Sequence, residues 1–208
     1  LAAILARAGP EGAERGAVID ALVRSSADGA AYLRQILSRL RRALPAGVDV
    51  VSQDGRLAWR PADAVVTDDQ TLESLVTGAR RKTGAVRREM LEGALAIADG
   101  GDYMPGGDAP DTVARRADVV RYVVEARRAL GHLQLARGWA NDAEHHARLA
   151  VAGEPYDEDG WRLLMRATAA ARGPSAVPQI LRECEGRLAE IGLRPSAETV
   201  RLGERLRG

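Results

Sequence analysis

Phenylalanine is absent from this sequence, and aromatic residues supply only 3% of it. That shortage excludes an interior stacked from rings and leaves Leu, Val, Ile and Ala to build the core. Cys184 is the only cysteine, so no disulfide can form within the chain, as suits a protein of the reducing cytoplasm. Lys82 is the only lysine among 30 basic residues, an arginine bias that we read as the mark of a GC-rich genome. Runs without charge stop at about nine residues, 173–181 being one, against the roughly 20 apolar residues that cross a bilayer. No membrane contact is expected. The opening LAAILARAGP is too short for a signal peptide and begins inside what reads as a helix, so the sequence is expected to be a piece of a longer protein.

Signatures of catalysis are missing as well. There is no Gly-x-x-x-x-Gly-Lys phosphate loop, no Gly-x-Gly-x-x-Gly after a strand, no Gly-x-Ser-x-Gly elbow and no His-Glu-x-x-His pair. The glycine-rich stretch 100–107 lacks a lysine and carries Asp102, with Asp108 just beyond it; it would repel phosphate and reads as a connecting loop. His145 and His146 are adjacent, so on a helix they point about 100° apart and cannot share a metal. Asp142 and His146, four residues apart, read as a surface hydrogen bond. Cys184 lies between Glu183 and Glu185, which raise a thiol's pKa and leave a poor nucleophile. Trp161, Leu164 and Met165 recur at helical spacing and read as packing residues. The sequence thus predicts no enzyme, no cofactor and no metal site.

What it does hold points to helices. Its 208 residues at 46% hydrophobic content can bury a core, and its many Ala, Leu, Arg and Glu residues are good helix formers. Residues 1–60 carry nine Arg against six carboxylates, a net +3, while the remainder nets −2. Residues 1–8 read as a helix closed by Gly9-Pro10, and 14–23 as a second with Val18, Ile19 and Leu22 on one face. A third runs over about 28–44, ended by Pro45 and Gly47. Within it, YLRQILSRLRRAL (32–44) places Leu33, Ile36, Leu37, Leu40 and Leu44 on one face. Arg34, Gln35, Ser38, Arg41 and Arg42 fall on the opposite face, with Arg39 at its edge. Such a face is either the solvated side of an amphipathic helix or a surface aimed at a polyanion. VDVVSQDGRLAW then gives two β-type runs, 48–52 and 56–59, joined by Asp54-Gly55, a hairpin signal. Three helices and a hairpin follow the order of a winged helix-turn-helix, whose third helix enters the major groove.

From Thr67 onward every element reads as helix. Thr67-x-x-Gln70 is a capping-box pattern, and 87–98 forms the next helix. Pro110-Asp111 opens a long one to about Arg137, ended by Gly138. Asn141 is expected to cap a helix to about Ala152, Asp157 or Asp159 one to Arg172, and Ser196 the last. LARG at 135–138 returns as AARG at 170–173, an offset of 35 residues, the length of a tetratricopeptide-type unit.

EPYDEDGWRLLMRATAAARG (154–173), followed by LAEIGLRPSAETVRLGERL (188–206), resembles the bacterial transcriptional activator domain of the Streptomyces antibiotic regulatory proteins and their mycobacterial relatives. The family pattern falls on Pro155, Glu158, Leu164, Met165, Gly173, Ile191 in place of Leu, Gly192, Pro195 and Ser196. EGALAIADG (92–100) is similar to the family's Ala-Leu helix with its terminal Gly. VIDALV and YLRQILSRLRRAL resemble the second and third helices of the OmpR-type winged helix that precedes this domain.

The resemblance implies a mainly α protein: an N-terminal winged helix-turn-helix with a β-hairpin wing over 1–62, then a tetratricopeptide-like α-helical bundle over 67–208. It implies a cytoplasmic, sequence-specific transcription regulator that binds double-stranded promoter DNA, with contact to RNA polymerase and homodimerisation through the bundle. Leu33, Leu40 and Leu44 match core positions of the recognition helix. Arg34, Ser38, Arg39, Arg41 and Arg42 match its polar and basic positions; with Gln35 beside them and Arg56 in the wing they make up the expected DNA-binding set. The chain departs from the pattern at Ile36, where a histidine or polar residue is common, and at Val23, where a Trp usually stands. Its wing carries Asp54 without the usual Gly-Tyr, and the family's sheet ahead of the first helix is missing. From these departures follows a second expectation, a helical protein-interaction or signal-receiving module whose winged helix no longer binds DNA.

Overall fold

The computed structural model describes residues 1–23 and 28–207. Arg24, one of the nine arginines behind the N-terminal basic excess, and Gly208, the last residue of the expected second domain, lie outside the described residues. The chain is mainly helical and divides into two compact units, 1–70 and 71–208.

The first unit contains α1 (Ala2–Arg7), a 3₁₀ turn (Gly9–Glu11), β1 (Ala13–Glu14), α2 (Arg15–Leu22), α3 (Gly29–Ala43), β2 (Asp49–Gln53) and β3 (Arg56–Arg60). The hairpin signal is realised at its expected place: Asp54 (φ 50°) and Gly55 (φ 76°) both adopt the left-handed conformation that a tight two-residue turn between twisted strands requires. Its strands pair Val50 with Trp59 and Ser52 with Leu57, and β1 adds to the free side of β3 to give the antiparallel order β1-β3-β2.

The sequence reading missed β1, taking Glu14 as the start of the second helix. Two residues are too few for an alternation signal. What makes them a strand is distant, the pairing of Ala13 with Leu57 and an Arg15 N–H to Gly55 carbonyl bond of 2.9 Å. Gly12 makes that pairing possible. Its φ is +67°, and a Cβ there would stand 2.3 Å from the Leu57 carbonyl oxygen. Leu5, Val18, Leu33, Leu37, Val50, Leu57 and Trp59 form the core between helices and sheet.

The helical elements that follow are α4 (Asp68–Ala79), α5 (Gly84–Ala98), α6 (Pro110–Ala136), α7 (Ala140–Gly153), α8 (Glu158–Arg172), α9 (Val177–Ala189) and α10 (Ala197–Leu206). Ahead of α4, Gln70 accepts the Thr67 N–H at 3.0 Å, the reach-back half of a capping box. Helix α5 begins three residues ahead of the expected Arg87. At α7 the expected cap is also corrected: the helix starts at Ala140 with Trp139 in the cap position and no side-chain cap, so Asn141 lies inside the first turn.

Two apolar clusters fill the second unit. Leu72, Val76, Leu91, Leu95, Ala126 and Leu130 join α4, α5 and α6, while Trp161, Leu164, Met165, Ile180, Leu181 and Leu188 lie between α8 and α9. Trp161, Leu164 and Met165 are thus packing residues, as their spacing predicted. Helices α6 and α7 run antiparallel, since a Cβ at Gly131 would come 3.4 Å from the Ala143 carbonyl and one at Gly153 2.6 Å from Val124. The LARG/AARG echo marks equivalent points in this array. Gly138 ends α6 at φ +79° and Gly173 ends α8 at φ +91°, each letting the chain reverse into the next helix.

Candidate functional site

Helix α3 carries most of the expected site. Asp28 opens it by accepting the Ala31 N–H at 3.2 Å. Leu33 and Leu37 are buried, and Ile36, Leu40 and Leu44 sit half-buried at the margin of the same face. The helix contains four arginines and no carboxylate. Arg34, Gln35, Ser38, Arg39, Arg41 and Arg42 are all exposed, yet their polar groups are not equally engaged. The guanidiniums of Arg34 and Arg39 make no hydrogen bond or ion pair among the described residues. Arg42 folds back on its own helix, its Nε donating to the Ser38 carbonyl at 3.2 Å and its Nη2 to Ser38 Oγ at 3.3 Å. Those bonds are long and solvent-exposed.

Arg41 and Arg56 are placed differently. Arg41 Nε donates to Asp49 Oδ1 at 3.0 Å, and its guanidinium also holds the carbonyl of Val50 on the edge strand β2. Arg56 donates from Nε to the Glu11 carbonyl at 2.9 Å and from Nη2 to the Gly12 carbonyl at 2.7 Å, with Glu14 3.6 Å from its Nη1. Both side chains fasten one part of the first unit to another. The helical-face pattern had no means of finding this, because the partners come from a strand and a turn. Arg41 and Arg42 also lie in the last turn of α3, where cations complement the negative end of the helix dipole.

In the second unit, two residues that carried the family pattern, Glu158 and Ser196, are joined to each other. The Glu158 carboxylate accepts the Ser196 N–H at 2.9 Å and the Ser196 hydroxyl at 2.7 Å, while Ser196 Oγ accepts from Thr199 N–H and caps α10. Arg162 reaches from α8 to the Thr199 hydroxyl at 2.9 Å. Trp161 Nε1 donates to the Pro155 carbonyl at 2.8 Å and so fixes the turn before α8. Glu158 and Ser196 thus fasten α8 to α10, while Leu164 and Met165 belong to the core between α8 and α9. A family model described as Bacterial transcriptional activator domain matches residues 67–207. The chain belongs to this family.

A bacterial transcriptional activator domain is a module of transcription regulation, and no enzyme family is involved in the match. A comparison with curated proteins returns no match. No described helix is long and apolar enough to cross a membrane. Within the activator domain, Arg116 gathers the glycine-rich loop by donating to the carbonyls of Tyr103 (3.1 Å), Met104 (2.7 Å) and Gly107 (2.9 Å). The loop thus offers carbonyls inward, in keeping with its reading as a connection. Burial, with Glu158 and Glu185 nearby, pushes the Cys184 thiol up to about 12, so it stays protonated. The expected Asp142–His146 hydrogen bond is corrected: His146 Nδ1 lies 3.4 Å from Arg127 Nη1, and burial with that guanidinium holds the imidazole below its ordinary pKa. A carboxylate the sequence reading passed over, Glu144, is only 4% exposed. It takes bonds from Arg148, Thr168 and Arg172, tying α7 to α8. Nothing in its local sequence distinguished it from a surface glutamate.

Proposed function

We propose that this chain is a sequence-specific DNA-binding transcription regulator of the Streptomyces antibiotic regulatory type, acting in the cytoplasm. On this reading residues 1–62 form a winged helix that binds double-stranded promoter DNA, and residues 67–208 form the tetratricopeptide-like activator domain that contacts RNA polymerase and a second copy of the chain. The order α1-β1-α2-α3-β2-β3, with its three-stranded antiparallel sheet, suits a winged helix. The observation that carries the reading is the exposed, carboxylate-free face of α3, where Arg34 and Arg39 have no partner among the described residues and Arg42 is held only by long surface bonds. Arg34, Arg39 and Arg42 then meet phosphates, Gln35 and Ser38 lie between them at the height of base edges, and Arg41 and Arg56 brace the helix and wing.

Binding of fluorescent genomic promoter fragments across a salt series tests this. Arg34→Ala, Arg39→Ala and Arg42→Ala combined should weaken binding to every sequence and flatten the salt slope by about one unit per lost phosphate contact. Unchanged affinity and slope in the folded triple variant would rule the reading out.

A further inference from the structure

The turn from α4 into α5 in the activator domain is strongly basic. Residues 80–88 carry Arg80, Arg81, Lys82, Arg87 and Arg88 and no carboxylate, in a chain whose net charge is only +1. The turn is firmly built. The N–H groups of Arg80, Arg81 and Lys82 donate to the Thr77, Gly78 and Ala79 carbonyls at 3.3, 3.2 and 3.1 Å. Gly84, at φ +59°, then redirects the chain into α5. Met90 of α5 packs closely on α4, since a Cβ at Gly78 would stand 2.6 Å from its terminal methyl.

The five cations are not equally engaged. Glu125 grips Arg80 through two bonds of 2.7 and 2.8 Å, and Arg88 lies 3.6 Å from Glu92. Arg81 and Lys82 are exposed, and their side chains make no hydrogen bond or ion pair among the described residues. A fixed turn thus presents two adjacent cations with their charge uncompensated, and a polyanion is its electrostatic complement. A guanidinium fork matches the oxygens of a phosphate, and cations that meet a nucleic-acid backbone release its condensed counterions. The apolar content disfavours other partners. Residues 80–88 include no aromatic and, besides Ala85, only Val86, too little to form the dry centre of a protein interface or to enter a bilayer.

We propose that the α4–α5 turn of the activator domain is a second DNA-contacting surface, at which Arg81 and Lys82 meet backbone phosphates outside the site read by α3. The contact carries no base information; it adds affinity and salt dependence. It rests on the reading of this chain as a DNA-binding regulator and is tested apart from α3.

Lys82 supplies the test, because it is the only lysine. An acetylating reagent, with modification at Lys82 followed by peptide mass mapping, reads the turn in the full, unsubstituted chain. Saturating duplex promoter DNA should slow Lys82 acetylation severalfold; an unchanged rate with DNA bound overturns the proposal. Arg81→Gln combined with Lys82→Gln should lower the salt slope of DNA binding by about two units without moving the melting temperature, and an unchanged slope overturns it too. The combined Arg34→Ala, Arg39→Ala and Arg42→Ala variant separates this surface from α3. At higher DNA concentration its Lys82 should still be protected. A triple variant that binds as the unsubstituted chain does, with Lys82 protected, sinks the α3 reading alone. An unsubstituted chain that binds DNA with Lys82 unprotected sinks this proposal alone, and a chain that binds no DNA sinks both. Polyglutamate stands in for an acidic protein: if it protects Lys82 better than DNA does at matched charge, the turn belongs to a protein partner and the proposal falls.

Discussion

At the scale of single residues, two arginines seven positions apart on α3 have opposite fates. Arg34 is exposed with no partner among the described residues, whereas Arg41 spends its donors on Asp49 and Val50. Substituting each therefore separates binding from stability. Arg34→Ala should leave the melting temperature in place and lower DNA affinity; Arg41→Ala should lower the melting temperature by uncoupling α3 from β2 and change the salt slope less. Calorimetry beside a binding titration distinguishes the two. Gly12 supplies the other residue-scale test. Gly12→Ala brings a Cβ against the Leu57 carbonyl at a φ that L residues rarely adopt, so denaturant unfolding should show a loss of about 2 kcal/mol or more. Gly16, with open space around its Cβ position, is the control.

At the scale of elements, α3 and α10 show what a short pattern can and cannot reveal. In α3 the apolar stripe was legible because the helix period is printed directly in the residue order, and Leu33 and Leu37 are buried as it required. Leu33→Ala should cost about 2–5 kcal/mol through the cavity it leaves, read by chemical denaturation. The stripe set the outer residues together but was blind to Arg41 and Arg56, whose partners come from elements eight or more residues away. The two-residue strand β1 stayed hidden for the same reason, since only its partner β3 makes it a strand. In α10 the Ser196 cap was readable from one residue. That Glu158 holds Ser196 was not, because 38 residues separate them. Ser196→Ala removes both the cap and the hydroxyl donor to Glu158, leaving the backbone N–H bond, so a loss of about 1–2 kcal/mol is expected in thermal unfolding. Glu158→Gln should cost less, because its amide oxygen still accepts the Ser196 N–H.

For the whole molecule, the shifted groups that titrate between acid and neutral pH point one way. The Arg80 bond holds Glu125 below the usual carboxylate range, while burial ahead of the neighbouring arginines holds His132 and His146 below an ordinary histidine. In each case the unfolded chain binds a proton more readily than the folded one, so stability is fully present at neutral pH and falls as acid is added. The histidine contribution should fade as pH drops below the reference value of 6.5, and the carboxylate contribution as it drops below 4.5. A melting series across pH should therefore descend in two stages. His132→Gln with His146→Gln should erase the first, and Glu125→Gln should shrink the second, by a small amount because the Arg80 side chain is largely exposed.

The Arg41–Val50 contact also reaches beyond the single chain. A sheet of three strands has two open flanks, and unpaired main-chain groups on such a flank invite a strand from another molecule. On the β2 side a main-chain oxygen is already taken by the protein's own side chain, so a visiting strand would have to dislodge a cation before it could dock. One arginine thereby occupies a docking point on that edge strand, a contact that no reading of α3 in isolation would have assigned to it.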